Sequence, residues 1–382
     1  MKNLISLSLI ILLFSCSGKE ENESSPSNNI LEDLTFSVDT VVVDPGEEII
    51  DLSNHLRLAD LSSDHKKLYL FVEGENKLSV IDLDKLTLER KIPYEKEGPN
   101  GVGSFLWSLD LVSNDQFFLK TFNTAGIFDF QGIKHESVNL DEEEIIGIKG
   151  KTLQNNRLKL SEDLKWYYTV PGSDFNDGEP SVELALINSE TKEGKILPIP
   201  AMDKTGLYKI AFKEGTMMQI YAEDYFLSEH SGNFYITSSV TSDIYTIDPE
   251  TDSLTLYSYD LKYAPKYKSD PPSHSEFTDR EAWRSEVEKM RSQITYGDLI
   301  WDDSKDYFFR IGSILVPSLV EDAPSKSKIF LLAFDKELNL IGETEIEEMD
   351  SAPEFPFFKD GKLWSFVNVE DELGFAIFDF NF

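Results

Sequence analysis

Ser63-Asp64-His65-Lys66-Lys67-Leu68-Tyr69-Leu70 sets a tight polar turn directly against a strand of aliphatic and aromatic residues. The unit returns as Ser113-Asn114-Asp115-Gln116-Phe117-Phe118-Leu119 and as Ser161-Glu162-Asp163-Leu164-Lys165-Trp166-Tyr167-Tyr168. It returns again as His230-Ser231-Gly232-Asn233-Phe234-Tyr235-Ile236, Asp303-Ser304-Lys305-Asp306-Tyr307-Phe308-Phe309 and Lys359-Asp360-Gly361-Lys362-Leu363-Trp364. Each copy is followed by a second strand that ends apolar-apolar-Asp or Asn: Val80-Ile81-Asp82, Ile127-Phe128-Asp129, Leu186-Ile187-Asn188, Thr246-Ile247-Asp248, Ala333-Phe334-Asp335 and Ile377-Phe378-Asp379. An Asp or Asn there suits a turn, because its side chain can accept from the backbone two residues on. A further strand follows in five copies, as in Leu88–Ile92 and Leu254–Tyr257, whereas the sixth runs out at Phe382.

Repeats of three or four strands each read as propeller blades. The missing strand has a counterpart at the other end, Thr35–Val43, which alternates in strand fashion. The expected fold is therefore all-β: a six-bladed β-propeller closed by its N-terminal strand. Closure would remove two open edges that invite pairing with other chains. One helical insertion, about residues 263–293, falls between blades four and five. Within it Thr278-Asp279-Arg280-Glu281 reads as a capping box, and Trp283, Val287 and Met290 share one stripe. It reads either as a buttress on the rim or as a gate over the central pocket.

In a blade, the turns joining strands one to two and three to four emerge on one face, and these are short throughout, as at Ser63-Asp64 and Ser231-Gly232. The long segments all belong to the other face: Glu95–Leu106, Asp141–Asn156, Pro171–Ser181, Pro198–Asp224, Leu261–Gln293, Gly312–Ser327 and Glu347–Phe355. Long loops collected on one side of a repeat fold mark that side as the working face.

Ahead of the repeats, Lys2 precedes an apolar run from Leu4 to Phe14 that is shorter than the ~20 residues a bilayer span needs. With Leu13-Phe14-Ser15-Cys16 at its end, this segment resembles a bacterial lipoprotein signal with its lipobox. That resemblance implies cleavage after residue 15 and acylation of Cys16, the single cysteine of the chain. Residues 16–33 are polar, acidic and rich in Ser and Asn, and read as a flexible tether leading to the propeller domain at 34–382. The run Lys19-Glu20-Glu21-Asn22-Glu23 is similar to the export signal of surface-displayed Bacteroidetes lipoproteins. The expected address is the cell envelope, as an outer-membrane lipoprotein facing the periplasm or the exterior.

Without residues 1–15 the chain keeps 35 basic residues against 70 acidic ones, a net charge of −35. Such a surface repels nucleic acid and anionic headgroups. The lone cysteine excludes structural disulfides, cysteine zinc sites and a cysteine nucleophile. The five histidines show no metal spacing, the seven arginines are scattered, and no Gly-x-Ser-x-Gly elbow occurs.

The chain resembles the six-bladed, TolB-like propeller lipoproteins of Bacteroidetes over roughly residues 34–382. The resemblance rests on Glu97-Gly98-Pro99-Asn100-Gly101-Val102-Gly103 after the first blade, where related families carry Gly-x-Gly-Pro-Gly, and on Ile300-Trp301-Asp302 with Tyr307-Phe308-Phe309-Arg310. It implies fold and address without an activity. Candidate ligand contacts are Trp107, Trp301, Asp302, Arg310, Glu97 and Asn100, with Arg310 expected either to pair with Asp302 or Asp303 or to hold an anion. Trp107 and Trp301 are candidates for core packing or for aromatic platforms. Asp174, Asn176, Asp177 and Glu179 alternate oxygen ligands as a calcium loop does, but the bidentate Glu of such loops is missing.

Two functions remain open at this point. One is a membrane-anchored binding module that takes a glycan, peptide or protein partner with its long-loop face, and is not an enzyme. The other is a calcium-dependent hydrolase, lactonase or lyase with dispersed Asp, Asn and Glu ligands in the central channel. Three or more convergent Asp, Asn or Glu side chains at the inner end of the channel on the long-loop face would favour the enzyme, and an apolar or plugged channel the binder.

Overall fold

The computed structural model describes residues 29–113, 115–121, 124–138, 140, 145–148, 150–153, 157–172, 182–318 and 325–382. Its architecture is all-β, built from four-stranded antiparallel blades. The first sheet runs Ala59–Leu61, Lys67–Val72, Lys77–Asp82, Thr87–Pro93. The second runs Leu106–Ser113, Gln116–Thr121, Ala125–Asp129, Lys134–Val138, and the third Lys159–Leu160, Trp166–Thr169, Glu183–Asn188, Gly194–Pro198. The fourth is Tyr225–His230, Asn233–Ser238, Thr241–Asp248, Ser253–Tyr257, and the fifth Thr295–Asp302, Tyr307–Val316, Lys326–Phe334, Leu340–Ile346. In the last, Glu354–Lys359, Lys362–Val369 and Glu372–Asn381 are completed by Thr35–Val42, which pairs antiparallel with Gly374–Asn381.

The turn chemistry follows the repeat. Asp82, Asp129, Asn188, Asp248 and Asp335 each accept, through Oδ1, the backbone N–H two residues on, at 2.8–3.1 Å. The sixth, Asp379, lies inside a strand and pairs with Lys362 at 2.8 Å.

Apolar cores lie between consecutive sheets. Leu78 and Phe71 of the first meet Phe117 and Leu109 of the second, and Phe118 and Ile127 of the second meet Tyr167 and Ile187 of the third. Tyr168 of the third stacks 4.3 Å from Phe234 of the fourth, and Ile244 of the fourth shares a core with Phe330 of the fifth. Phe309 of the fifth packs on Phe358 of the last, whose Trp364 and Phe375 pack in turn with Leu68 and Leu70 of the first.

Two features depart from expectation. Residues ahead of the expected strand are packed on the domain: Leu31 is fully buried, Ile30 N–H donates to Ile341 O, and Asn29 bonds the backbone of Glu343. The part of the expected tether from Asn29 to Asp33 is therefore packed onto the outer strand of the fifth sheet. The second departure is a small three-stranded sheet outside the repeat, in which Lys209–Glu214 is flanked by Met217–Ala222 and by Glu276–Phe277.

The helix Arg280–Arg291 packs on that small sheet. Trp283, Val287 and Met290 form the expected stripe and meet Tyr208, Ile210 and Phe277. Its cap is Asp279 rather than Thr278: the Asp279 carboxylate accepts from Ala282 N–H at 2.7 Å. A carboxylate at that position also faces the positive end of the helix dipole. Among the described residues no helix is long and apolar enough to cross a membrane.

Candidate functional site

The starts of the inner strands of the fifth and last sheets converge on a cavity of about 890 Å³. Thr295–Ile300 and Pro353, Phe355 and Pro356 form part of its wall, with Asp60 and Leu61 from the first sheet and Phe226 from the fourth. Tyr221–Asp224 of the small hairpin and Arg291 at the helix end complete the rim. Every one of these strand starts lies at the long-loop end of its sheet, so this cavity opens on the side where the insertions collect. Much of the lining is apolar, with Ile300, Ile311, Leu315 and Phe355 among it, as ligand pockets generally are.

Four carboxylates, Asp60, Glu223, Asp224 and Asp298, stand in this wall with Arg291. Asp60 accepts from Leu111 N–H at 2.7 Å and Leu61 N–H at 2.8 Å. Asp298 accepts from Leu299 N–H at 2.8 Å and from the Thr237 hydroxyl at 3.1 Å. Neither has a cation within ion-pair distance among the described residues. Burial, with the nearby Asp110 charge, pushes the Asp60 carboxyl up to about 6, and burial raises Asp298 above the usual carboxylate range.

Glu223 differs. Lys268, fully buried, donates to it at 3.0 Å, to Met290 O at 2.8 Å and to Thr295 Oγ1 at 2.9 Å, and Ser239 Oγ donates to Glu223 at 2.6 Å. One ammonium thus ties the hairpin, the helix end and the fifth sheet together at the cavity rim. In this arrangement the helical insertion forms part of the cavity wall.

Behind Asp60 lies a second buried ionic group. Lys120 and Lys159 both pair with Asp110, and Lys120 also donates to Leu158 O at 2.6 Å. The two ammonium groups hold Asp110 down to about 2 against its burial, while burial brings Lys120 down to about 8.

The residues singled out from sequence are not brought together. Arg310 pairs with neither Asp302 nor Asp303. It is fully buried, donates to Gly297 O at 2.8 Å and Ser238 O at 2.7 Å, and lies 4.9 Å over the Tyr296 ring. It brackets the fourth and fifth sheets from behind the cavity wall. Asp302 is buried and accepts from Ser304 N–H at 2.9 Å, which makes it a turn residue. Trp301 stacks 4.2 Å from His230 at the short-turn end, with its indole N–H on Asp303, so it lies at the opposite end from the cavity mouth.

Trp107 is half exposed at the long-loop end, next to Phe105, and is not a core residue. Glu97 and Asn100 belong to a self-bonded turn: Gly101 N–H donates to Gly98 O and Val102 N–H to Glu95 O. Asn100 accepts from Lys134 N–H at 3.2 Å, which staples the turn to the outer strand of the second sheet. A Cβ at Gly101 would come within 2.7 Å of the Glu97 backbone, so the glycine serves the turn and not a ligand. Cys16 and the calcium candidates Asp174, Asn176, Asp177 and Glu179 lie outside the described residues. Among the described residues, no three His, Cys, Asp or Glu side chains group so as to hold a metal.

Asp60, Glu223 and Asp298 escaped the sequence reading. The available signal was a single acid inside an otherwise apolar inner strand, as in Ala59-Asp60-Leu61 and Tyr296-Gly297-Asp298-Leu299-Ile300.

The family model of DUF4221, a domain of unknown function, matches residues 27–345, and the chain belongs to that family. A crystal structure of a DUF4221 member from Bacteroides vulgatus is similar at TM-score 0.64 and 13% identity, covering 91% of this chain and 98% of that one. It shows the fold alone. A Bacteroides fragilis protein named as a candidate exported protein is similar at TM-score 0.48 and 9% identity, covering 93% and 98%. The WD40 domain of Neurospora crassa Pan2 is similar at TM-score 0.39 and 7% identity, covering 84% and 88%. No curated protein matches the chain at a significant level.

Proposed function

We propose that this member of the DUF4221 family is an envelope-anchored binding module: a six-bladed propeller, closed by its N-terminal strand, that takes its ligand at the long-loop mouth of the central cavity. The observation that carries the binding role is that cavity, about 890 Å³ and partly apolar, placed where the long loops gather. Ring closure is supported by the cores between successive sheets, the last and first included, and by the pairing of Thr35–Val42 with the C-terminal strand. The binder is preferred to a calcium-assisted hydrolase because Asp60 and Asp298 already accept backbone N–H groups and Glu223 is held by Lys268. That leaves no set of three carboxylates aimed at one point among the described residues.

Crystals of residues 29–382 soaked with a fragment library are expected to show bound fragments in this cavity. Fragments confined to the short-turn end would place the working face wrongly.

The anchor rests on Cys16 and the signal-like segment before it. A diacylglycerol with a second, amide-linked chain exceeds the marginal hold of one acyl chain, at ~0.8 kcal/mol per buried methylene. Cys16→Ala is expected to move the protein from the membrane pellet into the soluble fraction. Equal recovery of variant and wild type in the pellet would remove the anchor from the proposal.

A further inference from the structure

Among the described residues, the longer outer strand of the small sheet outside the repeat has no second partner strand. The order of that sheet places Lys209–Glu214 in the middle, Glu276–Phe277 on one side and Met217–Ala222 on the other. The two-residue turn after Glu214 fixes which backbone groups face which way. Residues 217, 219 and 221 exchange bonds with Lys209–Glu214, and the continuing bond Glu223 N–H to Tyr208 O keeps that phase. The N–H and C=O groups of Met218, Ile220 and Ala222 therefore point outward, and no described backbone group bonds them. Met217 and Met218 are exposed. The strand reads Met-Met-Gln-Ile-Tyr-Ala, without the lysine, proline or bulge by which edges are normally blunted.

This open edge runs into the cavity, whose wall includes Tyr221 and Ala222. The same wall presents Asp60 and Asp298, two carboxylates with hydrogen-bond donors and, among the described residues, no cation within ion-pair distance, although the Lys159 charge acts on both and that of Arg310 on Asp298. Of the bases nearest the edge, Lys213 pairs with Glu276 and Arg280 with Glu214, while Arg291 stands at the cavity rim beside Tyr221. Resting on the reading of the cavity mouth as the binding face, we propose that Met217–Ala222 takes up an extended peptide as an added strand and that a basic side chain of this peptide enters the cavity toward Asp60 and Asp298.

Main-chain bonds along the edge supply affinity without regard to sequence, and the acidic cavity supplies selectivity. A chain of formal charge −34 also attracts a cationic partner at long range. The chain's own Ser17–Asn28 has the wrong charge for the role, since it carries Glu20, Glu21 and Glu23 against Lys19. A second copy pairing edge to edge would leave the cavity carboxylates without a partner.

The test uses residues 17–382 and a fluorescent decapeptide of alternating Thr and Val ending in two Lys, beside the same peptide ending in two Glu. The Lys peptide is expected to bind at least tenfold tighter. Ile220→Pro removes an outward N–H while sparing the bonds to Lys209–Glu214, and is expected to weaken binding at least tenfold with an unchanged melting temperature. Asp298→Asn is expected to reduce the preference for Lys over Glu. On the wild type, the peptide is expected to slow hydrogen exchange at the amides of Met218, Ile220 and Ala222.

Equal binding of both peptides, or exchange unchanged at those three amides, would overturn the proposal. So would self-association that Ile220→Pro abolishes, which would make a second copy the occupant. Fragments filling the cavity in a chain that ignores the Lys peptide would sink strand addition alone, whereas an empty cavity would sink the binding face with it.

Discussion

A chain that starts at Asp44 is expected to melt at least roughly 10 °C below the full domain and to aggregate on standing. The truncation removes Thr35–Val42, so the backbone groups from Gly374 to Asn381 lose their partner strand in full register. What replaces it is an open edge along Phe375-Ala376-Ile377-Phe378-Asp379-Phe380, an apolar template for pairing with another chain. It also removes the fully buried Leu31 and the ring of Phe36, which packs 5.9 Å from both Phe378 and Phe380. Burial of two such side chains contributes roughly 3–6 kcal/mol, a large share of the 5–15 kcal/mol by which domains are usually stable. At about 2–4 °C per kcal/mol the loss reaches the expected shift. Calorimetry and size-exclusion chromatography on residues 44–382 measure both effects. A monomer with an unchanged melting temperature would show that the first strand contributes nothing to closure.

The turns explain why so much of this fold was legible. A blade must reverse direction after its third strand, and an Asp or Asn there caps the reversal with its own side chain. Asp82, Asp129, Asn188, Asp248 and Asp335 all make that bond, so a one-letter pattern carried a three-dimensional instruction. The helix stripe Trp283-Val287-Met290 was legible for the same reason: periodicity records which side faces the core. The cap was misread because Thr278 and Asp279 are both good caps and the choice depends on where the chain enters from Glu276–Phe277.

The site was not legible, and its residues say why. Trp301, Asp302 and Arg310 are conspicuous side chains close in sequence. Yet Trp301 and Asp302 end an inner strand on the short-turn side, while Arg310 points between two sheets. What gathers at the cavity comes from Asp60, Glu223, Asp224, Arg291 and Asp298, a set spread over more than two hundred residues of the chain. Such a set is assembled by the packing of distant sheets on one another, and no local spacing encodes it. The open strand Met217–Ala222 was hidden for a related reason, since Pro198–Asp224 read only as a long loop.

Asp110→Asn is expected to destabilise the domain by roughly 3–5 kcal/mol at pH 7, because it leaves the buried Lys120 ammonium without its carboxylate. Lys120 is 1% exposed and keeps the Leu158 carbonyl and the Phe118 ring as close partners, which do not offset its charge. The pH dependence identifies the cause. Burial already holds Lys120 near 8, below its unfolded value of 10.5, with Asp110 opposing that shift. A lysine lowered on folding costs stability wherever it is charged, and the cost is relieved as pH rises from its folded toward its unfolded value. Without Asp110 the folded value drops further, so relief begins at lower pH and the variant recovers part of its deficit between pH 7 and 9.5. Adding Lys120→Met removes the buried charge and is expected to restore most of the loss at pH 7. Urea midpoints of the two variants across that range decide the matter: a deficit that is constant with pH, or one the second substitution leaves in place, would mean that lost packing and not unpaired charge is responsible. The same experiment reaches the cavity, since the Asp110 charge helps to raise Asp60. In Asp110→Asn the Asp60 carboxyl should titrate below 6, and the cavity should stay anionic at more acidic pH than in the wild type.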